Sequence, residues 1–261
     1  MKLTGLLSKV SAGRSDVSIA PDWMQGRAAY GGLVSALVYE SMRKSLASDI
    51  PVRCLQVSFI GPVSAEPLEL SSEVLRQGKS VTQVLGRGIQ NGETKVAILG
   101  SFGASRASQI SVSEPIKTFD RTPDQATQLP YIENVTPVFT QHFDYRYCSA
   151  FPFSGSDSQT MRGYVRYKDV EAEMNEAHLI GLIDAWPPTT LPMLKTPAMA
   201  SSLSWTMEFI QPQIRLGSDE FSLYESTIVQ SANGYGHTRA KIWNSHGELL
   251  AISQQTVTHF A

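Results

Sequence analysis

The sequence predicts an α+β protein in which one helix-and-sheet unit is used twice, and three observations carry that expectation. Val57-Ser58-Phe59-Ile60-Gly61-Pro62 and Met207-Glu208-Phe209-Ile210-Gln211-Pro212 place the same Phe and Pro landmarks 150 residues apart. Upstream, Gly32-Leu33-Val34-Ser35-Ala36 and Gly181-Leu182-Ile183-Asp184-Ala185 repeat at an offset of 149. Downstream, Asn91-Gly92-Glu93 and His246-Gly247-Glu248 repeat at 155. Landmarks in one order at nearly one offset mark a duplicated supersecondary unit. Each copy is also a control for the other, and one difference concerns chemistry: position 184 is an acid where position 35 is a serine.

The elements follow in order. Residues 1 to about 30 read as an irregular lead with short strands. Gly31-Gly32 opens a helix over Leu33 to Leu46 whose first half is apolar on nearly every face, the mark of a buried helix. Asp49-Ile50-Pro51 stops it. Val52 to Ile60 and Pro67 to Leu75 read as strands. Ser80 to Gln90 and Thr94 to Phe102 form a hairpin around Asn91-Gly92. In the second copy, strands are expected over Phe139 to Tyr147 and Met161 to Lys168. A helix follows from about Glu173 to Trp186, stopped by Pro187-Pro188. Strands then cover Ser202 to Phe209, Phe221 to Ser231, His237 to Asn244 and Leu249 to His259.

An apolar helix needs cover on all sides, and an antiparallel sheet curved around it supplies that cover. This is the logic of the hotdog fold, and two such units side by side would merge their sheets and remove an exposed edge from each. The expected architecture is a double hotdog: residues 1–104 form the first unit, 105–137 a Ser-, Pro- and Thr-containing linker over the surface, and 138–261 the second.

Composition narrows the function. The 261 residues are 42% hydrophobic, enough for a substantial core, and the net charge of −2 without a basic stripe gives no case for nucleic acid. Two cysteines, Cys54 and Cys148, are too few for a disulfide framework and fit a reduced compartment. The five histidines show no metal-binding spacing, so no metal is expected. The first ten residues lack a signal-peptide apolar core, and no stretch approaches the roughly 20 apolar residues of a membrane span. A cytoplasmic location is the resulting expectation.

Several segments resemble the thioesterase II-like acyl-CoA thioesterases. In the first half these are Ala29-Tyr30-Gly31-Gly32-Leu33-Val34, the segment around Phe59, Val74-Leu75-Arg76-Gln77-Gly78-Lys79-Ser80-Val81 and Ile89-Gln90-Asn91-Gly92. In the second half they are Tyr164-Val165-Arg166, the segment around Asp184, Phe209-Ile210-Gln211-Pro212 and Gly247-Glu248-Leu249-Leu250-Ala251. The resemblance implies hydrolysis of an acyl-CoA thioester to free acid and coenzyme A. It also implies a catalytic set of an acid on the second helix, a Thr or Ser hydroxyl on the next strand and a Gln on the last strand. Asp184 matches the acid, Ser202 falls on the hydroxyl position and Gln255 on the Gln position, with Gln254 one residue away and on the opposite strand face. No cofactor is implied, coenzyme A arriving as part of the substrate, and a homo-oligomer is expected.

The chemistry is coherent by itself. No Gly-x-Ser-x-Gly elbow is present, so water is the expected nucleophile. A carboxylate can take a proton from that water, an amide and a hydroxyl can orient it, and a helix-start N–H, assigned to Gly32, can meet the oxyanion. Tyr30, Trp186, Trp205 and Phe209 are candidates to line the acyl site, although such aromatics are more often plain core. Arg76, Lys79, Arg166 and Lys168 are candidates for the coenzyme A phosphates, against the ordinary reading of solvated strand cations. Two other functions stay open. A non-catalytic acyl-thioester-binding protein is kept open by Ser202, which lacks the rotamer-fixing methyl of the commoner Thr. A hotdog dehydratase would need a His beside the acid, and His178 lies six residues before Asp184 on another helix face.

Overall fold

The computed structural model describes residues 1–169, 174–210 and 216–260. Among these residues the first copy comprises α1 (Leu3–Ser11), β1 (Asp16–Ser18), β2 (Met24–Gln25), β3 (Ala28–Ala29), α2 (Gly31–Lys44), β4 (Val52–Phe59), β5 (Pro67–Gln77), β6 (Val81–Gln90) and β7 (Glu93–Gly103). After β8 (Thr127–Leu129), the second copy comprises β9 (Phe143–Tyr147), β10 (Thr160–Tyr167), α3 (Glu176–Asp184), β11 (Met199–Phe209), β12 (Ser222–Ala232), β13 (Tyr235–Trp243) and β14 (Leu249–Phe260). Glu173, where the second helix was expected to begin, and Gln211-Pro212 of the repeated motif lie outside the described residues.

Twelve strands form one antiparallel sheet in the order β1-β5-β6-β7-β4-β11-β14-β13-β12-β10-β9-β8, and β2 and β3 pair separately. The duplication is legible in its register. At the centre Ser58 pairs with Ser204, and at an offset of 150 the related pair is Cys54 with Glu208. The pseudo-twofold axis therefore passes between Gln56 and Thr206, which pair with each other. The sheet is a double hotdog: α2 and α3 lie against one face and pack on each other. They run antiparallel, since the Tyr30 hydroxyl at the start of α2 donates to the carbonyl of Gly181 near the end of α3.

Sequence chemistry explains these elements. In α2, Leu33, Leu37, Val38 and Met42 are at most 0% exposed, as an all-round apolar helix requires. Asn175 caps α3, its side chain accepting from the Ala177 and His178 N–H groups while the His178 ring returns a bond to the Asn175 N–H. Asn91-Gly92 and Asn233-Gly234 all have positive φ and turn the β6–β7 and β12–β13 hairpins.

Two expectations need correction. The lead contains a helix, α1, whose Leu3, Leu6, Leu7 and Val10 are buried. This spacing is a helical stripe; Gly5 and Ser8 are on the exposed side, so they do not interrupt it. Phe139 to Tyr147 is not all strand, because a 3-10 turn over Val138–His142 precedes β9. The segment between the copies also does more than cross the surface. Phe119 and Ala126 pack with Tyr164, Leu223 and Trp243 on the sheet face away from the helices, and β8 adds an edge strand beside β9.

Candidate active site

Two helix ends and one strand meet at the site. Asp184 is the last residue of α3, where the chain turns into Pro187-Pro188. Gly31 and Gly32 begin α2 alongside it. A Cβ on Gly31 would lie 3.0 Å from Asp184 Oδ2 and 3.2 Å from the Phe59 ring, so this position admits the carboxylate and the ring only because it carries no side chain. The Gly32 N–H, one of the free donors of a helix start, bonds to the Asp184 carboxyl.

The third element is β14. Gln255 pairs with Trp205, which is 1% exposed on the helix-facing side, and so shares that side; Gln254 pairs with Thr206 and is exposed. Gln255 Nε2 donates to Asp184 Oδ1 at 2.9 Å. The register thus decides between the two adjacent glutamines, and only one can reach the acid. Burial pushes the Asp184 carboxyl up to about 7, against the pull of the Gln255 amide and the Gly32 N–H, which favour the charged form.

Ser202 reaches the same side of the sheet by an irregularity. Between Ser202 and Ser204 the β11–β14 register shifts, so that Ser202 pairs with the buried Val257, two residues beyond Gln255. Strict alternation from Trp205 would have turned it outward; the bulge returns it to the inner face. Its hydroxyl makes no side-chain hydrogen bond among the described residues, so Ser202 borders the Asp184–Gln255 pair without joining it.

The other candidates separate. Gly32 is next to the acid, where its N–H favours the charged form of the Asp184 carboxyl. Tyr30 is 1% exposed, stacked on Phe139 with centroids 4.1 Å apart and bonded to Gly181; it is a core residue that ties the two helices, not a lining residue. Phe209 is 5% exposed and in the same core. Trp186 is buried beside the site, stacked on Tyr224 at 5.1 Å. Of the cations, Arg166 binds Asp144 and the Asp219 carbonyl and lies over Phe221, while Arg76, Lys79 and Lys168 are exposed. His178 serves the cap of α3 and contacts Thr4 at 3.0 Å, so it is not partnered with the acid. Phe59 was missed as a site residue, although its place in the repeated motif was the available signal. Among the described residues no group of three or more His, Cys, Asp or Glu side chains could hold a metal ion.

The site occurs once. At the related place in the first copy, Ser35 is 0% exposed and its hydroxyl has no partner among the described residues. The pairings of Leu99 with Gln56 and of Gln254 with Thr206 make Gly100 the counterpart of Gln255. Acid and amide are both absent there.

The packing also yields a stability prediction. A Cβ on Gly32 would lie 2.5 Å from the Tyr30 hydroxyl oxygen and 2.6 Å from its ring. Tyr30 is held by Phe139 and Gly181 and cannot withdraw, so Gly32→Ala is expected to lower stability by about 1–3 kcal/mol in urea unfolding. An unchanged midpoint would show that the start of α2 yields easily.

Comparisons place this geometry in a family. No curated protein sequence matches the chain significantly. A protein of unknown function with the hot dog fold from Alicyclobacillus acidocaldarius superimposes with a TM-score of 0.84 at 19% identity, covering 94% of this chain and 92% of that one. The acyl-CoA thioesterase II TesB2 of Mycobacterium marinum superimposes at 0.71 with 20% identity, covering 88% and 89%. The tesB protein of Mycobacterium avium subs. paratuberculosis superimposes at 0.76 with 14% identity, covering 98% and 100%. At these identities the likenesses speak for the fold. Sequence models of the acyl-CoA thioesterase N-terminal and C-terminal domains match residues 19–103 and 123–259, and with both halves matched in order the chain belongs to the acyl-CoA thioesterase family.

Proposed function

We propose that this protein hydrolyses acyl-CoA thioesters with water as the nucleophile and Asp184 as the base. The single observation that carries the reading is the Asp184–Gln255 contact of 2.9 Å around a carboxyl pushed up to about 7. A base that titrates near neutral pH can both hold and release a proton. In the reaction, the water oxygen forms a bond to the thioester carbonyl carbon and its proton passes to Asp184. The tetrahedral intermediate then breaks its C–S bond, and the proton leaves with the coenzyme A thiol. Gln255 orients the carboxylate, Ser202 supplies a hydroxyl toward the water, and the remaining N–H groups in the first turn of α2 face the developing oxyanion. Neither metal nor organic cofactor has a step in this scheme. The reading includes a cytoplasmic homo-oligomer.

The test is free-thiol release from straight-chain acyl-CoAs of increasing length. Turnover on at least one is expected. Absence of thiol on all of them, with acyl-CoA raising the melting temperature, would replace this reading by that of an acyl-thioester-binding protein.

A further inference from the structure

The two copies differ most where their helices end. At the 149-residue offset Asp184 coincides with Ser35, but α3 stops there while α2 continues to Lys44. About nine helical residues, roughly 13 Å of helix, have no counterpart in the second copy. In the first copy this stretch rests on a strip lacking side chains: a Cβ on Gly86 or Gly100 would come within 2.6 or 2.5 Å of Met42. In the second copy the chain from Ala185 to Leu194 covers the sheet, over a lining rich in hydroxyls and aromatic rings.

Three polar atoms in or beside that lining have no partner among the described residues: Trp186 Nε1, the Tyr147 hydroxyl and the Thr190 hydroxyl. Their residues are 5%, 1% and 4% exposed. The Trp186 and Tyr147 ring centroids are 4.8 Å apart, and Trp186 is two residues from Asp184. Nearby polar groups are satisfied, with Thr189 Oγ1 and Ser226 Oγ 2.6 Å apart and the Tyr145 hydroxyl donating to the Ala185 carbonyl. A buried polar atom without a partner costs free energy comparable to a lost hydrogen bond.

Building on the thioesterase reading, we propose that the acyl chain enters between this segment and the sheet, beside Trp186 and Tyr147, and that this place selects chains bearing a neutral oxygen, as hydroxyl, keto or ether, over plain chains of equal length. Trp186 offers only a donor, while Tyr147 and Thr190 offer donor and acceptor. None of these residues is cationic and Asp184 is close, so a terminal carboxylate is disfavoured. The chain gains room as the segment from Pro187 to Leu194 lifts from the sheet, breaking the bonds from the Phe153 and Gly155 N–H groups to the Leu191 and Leu194 carbonyls.

The experiment compares kcat/KM for octanoyl-CoA with that for a positional series of hydroxyoctanoyl-CoAs, in wild type and in Tyr147→Phe, which keeps the ring. At least one hydroxy isomer is expected to be preferred by roughly 10²-fold or more, because a site built around polar groups rejects the analogue that leaves them unpaired. Tyr147→Phe is expected to reduce that ratio at least tenfold. Octanoyl-CoA used as well as every hydroxy isomer, or a ratio unmoved in Tyr147→Phe, would overturn the proposal. Should no substrate release thiol, the thioesterase reading fails separately. The oxygen preference is then decided by melting temperature: a larger rise with a hydroxy isomer than with octanoyl-CoA supports it, and equal rises overturn it.

Discussion

Asp184→Asn is expected to lower thioester hydrolysis by about 10²–10⁴-fold, the usual contribution of a positioned base, while making the folded protein more stable at alkaline pH. The amide keeps the size of the side chain and an acceptor for Gln255, but cannot take a proton from water. The stability effect follows from linkage. Asp184 moves from 3.8 to about 7 on folding, so between those values the folded protein holds a proton that the unfolded chain has released. Stability from this group therefore falls as pH rises from about 4 to about 7. Above that it stays reduced, by an amount on the order of 4 kcal/mol at about 1.4 kcal/mol per pH unit. Asn removes the charge but has one acceptor oxygen where the carboxylate has two, so the net gain is smaller. Thermal melts at pH 5 and pH 8 measure it: the difference between variant and wild type should favour the variant more at pH 8. A variant equally destabilised at both would show that burial of this charge is not what raises the carboxyl.

Gln255→Met is expected to reduce kcat by roughly 10–10²-fold and to move the rising limb of the pH–rate profile to higher pH. The Gln255 amide donates to the carboxylate and so favours its charged form; methionine fills the same space without the donor. A residue that only supported the sheet would change the amplitude of the profile without moving it. Gln254→Met is the control, since Gln254 is exposed on the other side of β14 and is expected to leave both amplitude and midpoint in place.

The fold was readable because the duplication is written in landmarks that folding preserves. Phe59 and Phe209, and the two Gly-Leu segments, align the copies closely enough to expect one sheet around two helices. The helix α1 is short and stands among irregular segments, and its signal is the periodicity of Leu3, Leu6, Leu7 and Val10. In the site, Asp184 was marked by the contrast with Ser35. The choice between Gln254 and Gln255 needed the strand register, which connects β14 to Trp205 on β11 and is a long-range property. Ser202 faces inward through a bulge that local sequence does not announce. The engagement of the Gly32 N–H by Asp184 depends on α2 and α3 running antiparallel, which no local pattern encodes. Tyr30 shows the converse limit: its aromatic character suits core and ligand lining equally, and only its bond to Gly181 decides.

The central claim is that Asp184, held by Gln255 and the start of α2, takes the proton from the attacking water. The most direct measurement is kcat/KM for thiol release from one acyl-CoA across pH 5 to 9, with wild type and Asp184→Asn side by side. The account predicts a wild-type rate that climbs with pH through a midpoint near 7, and a variant that is close to background and without that limb. A variant that turns over at the wild-type rate with the same pH dependence would contradict it.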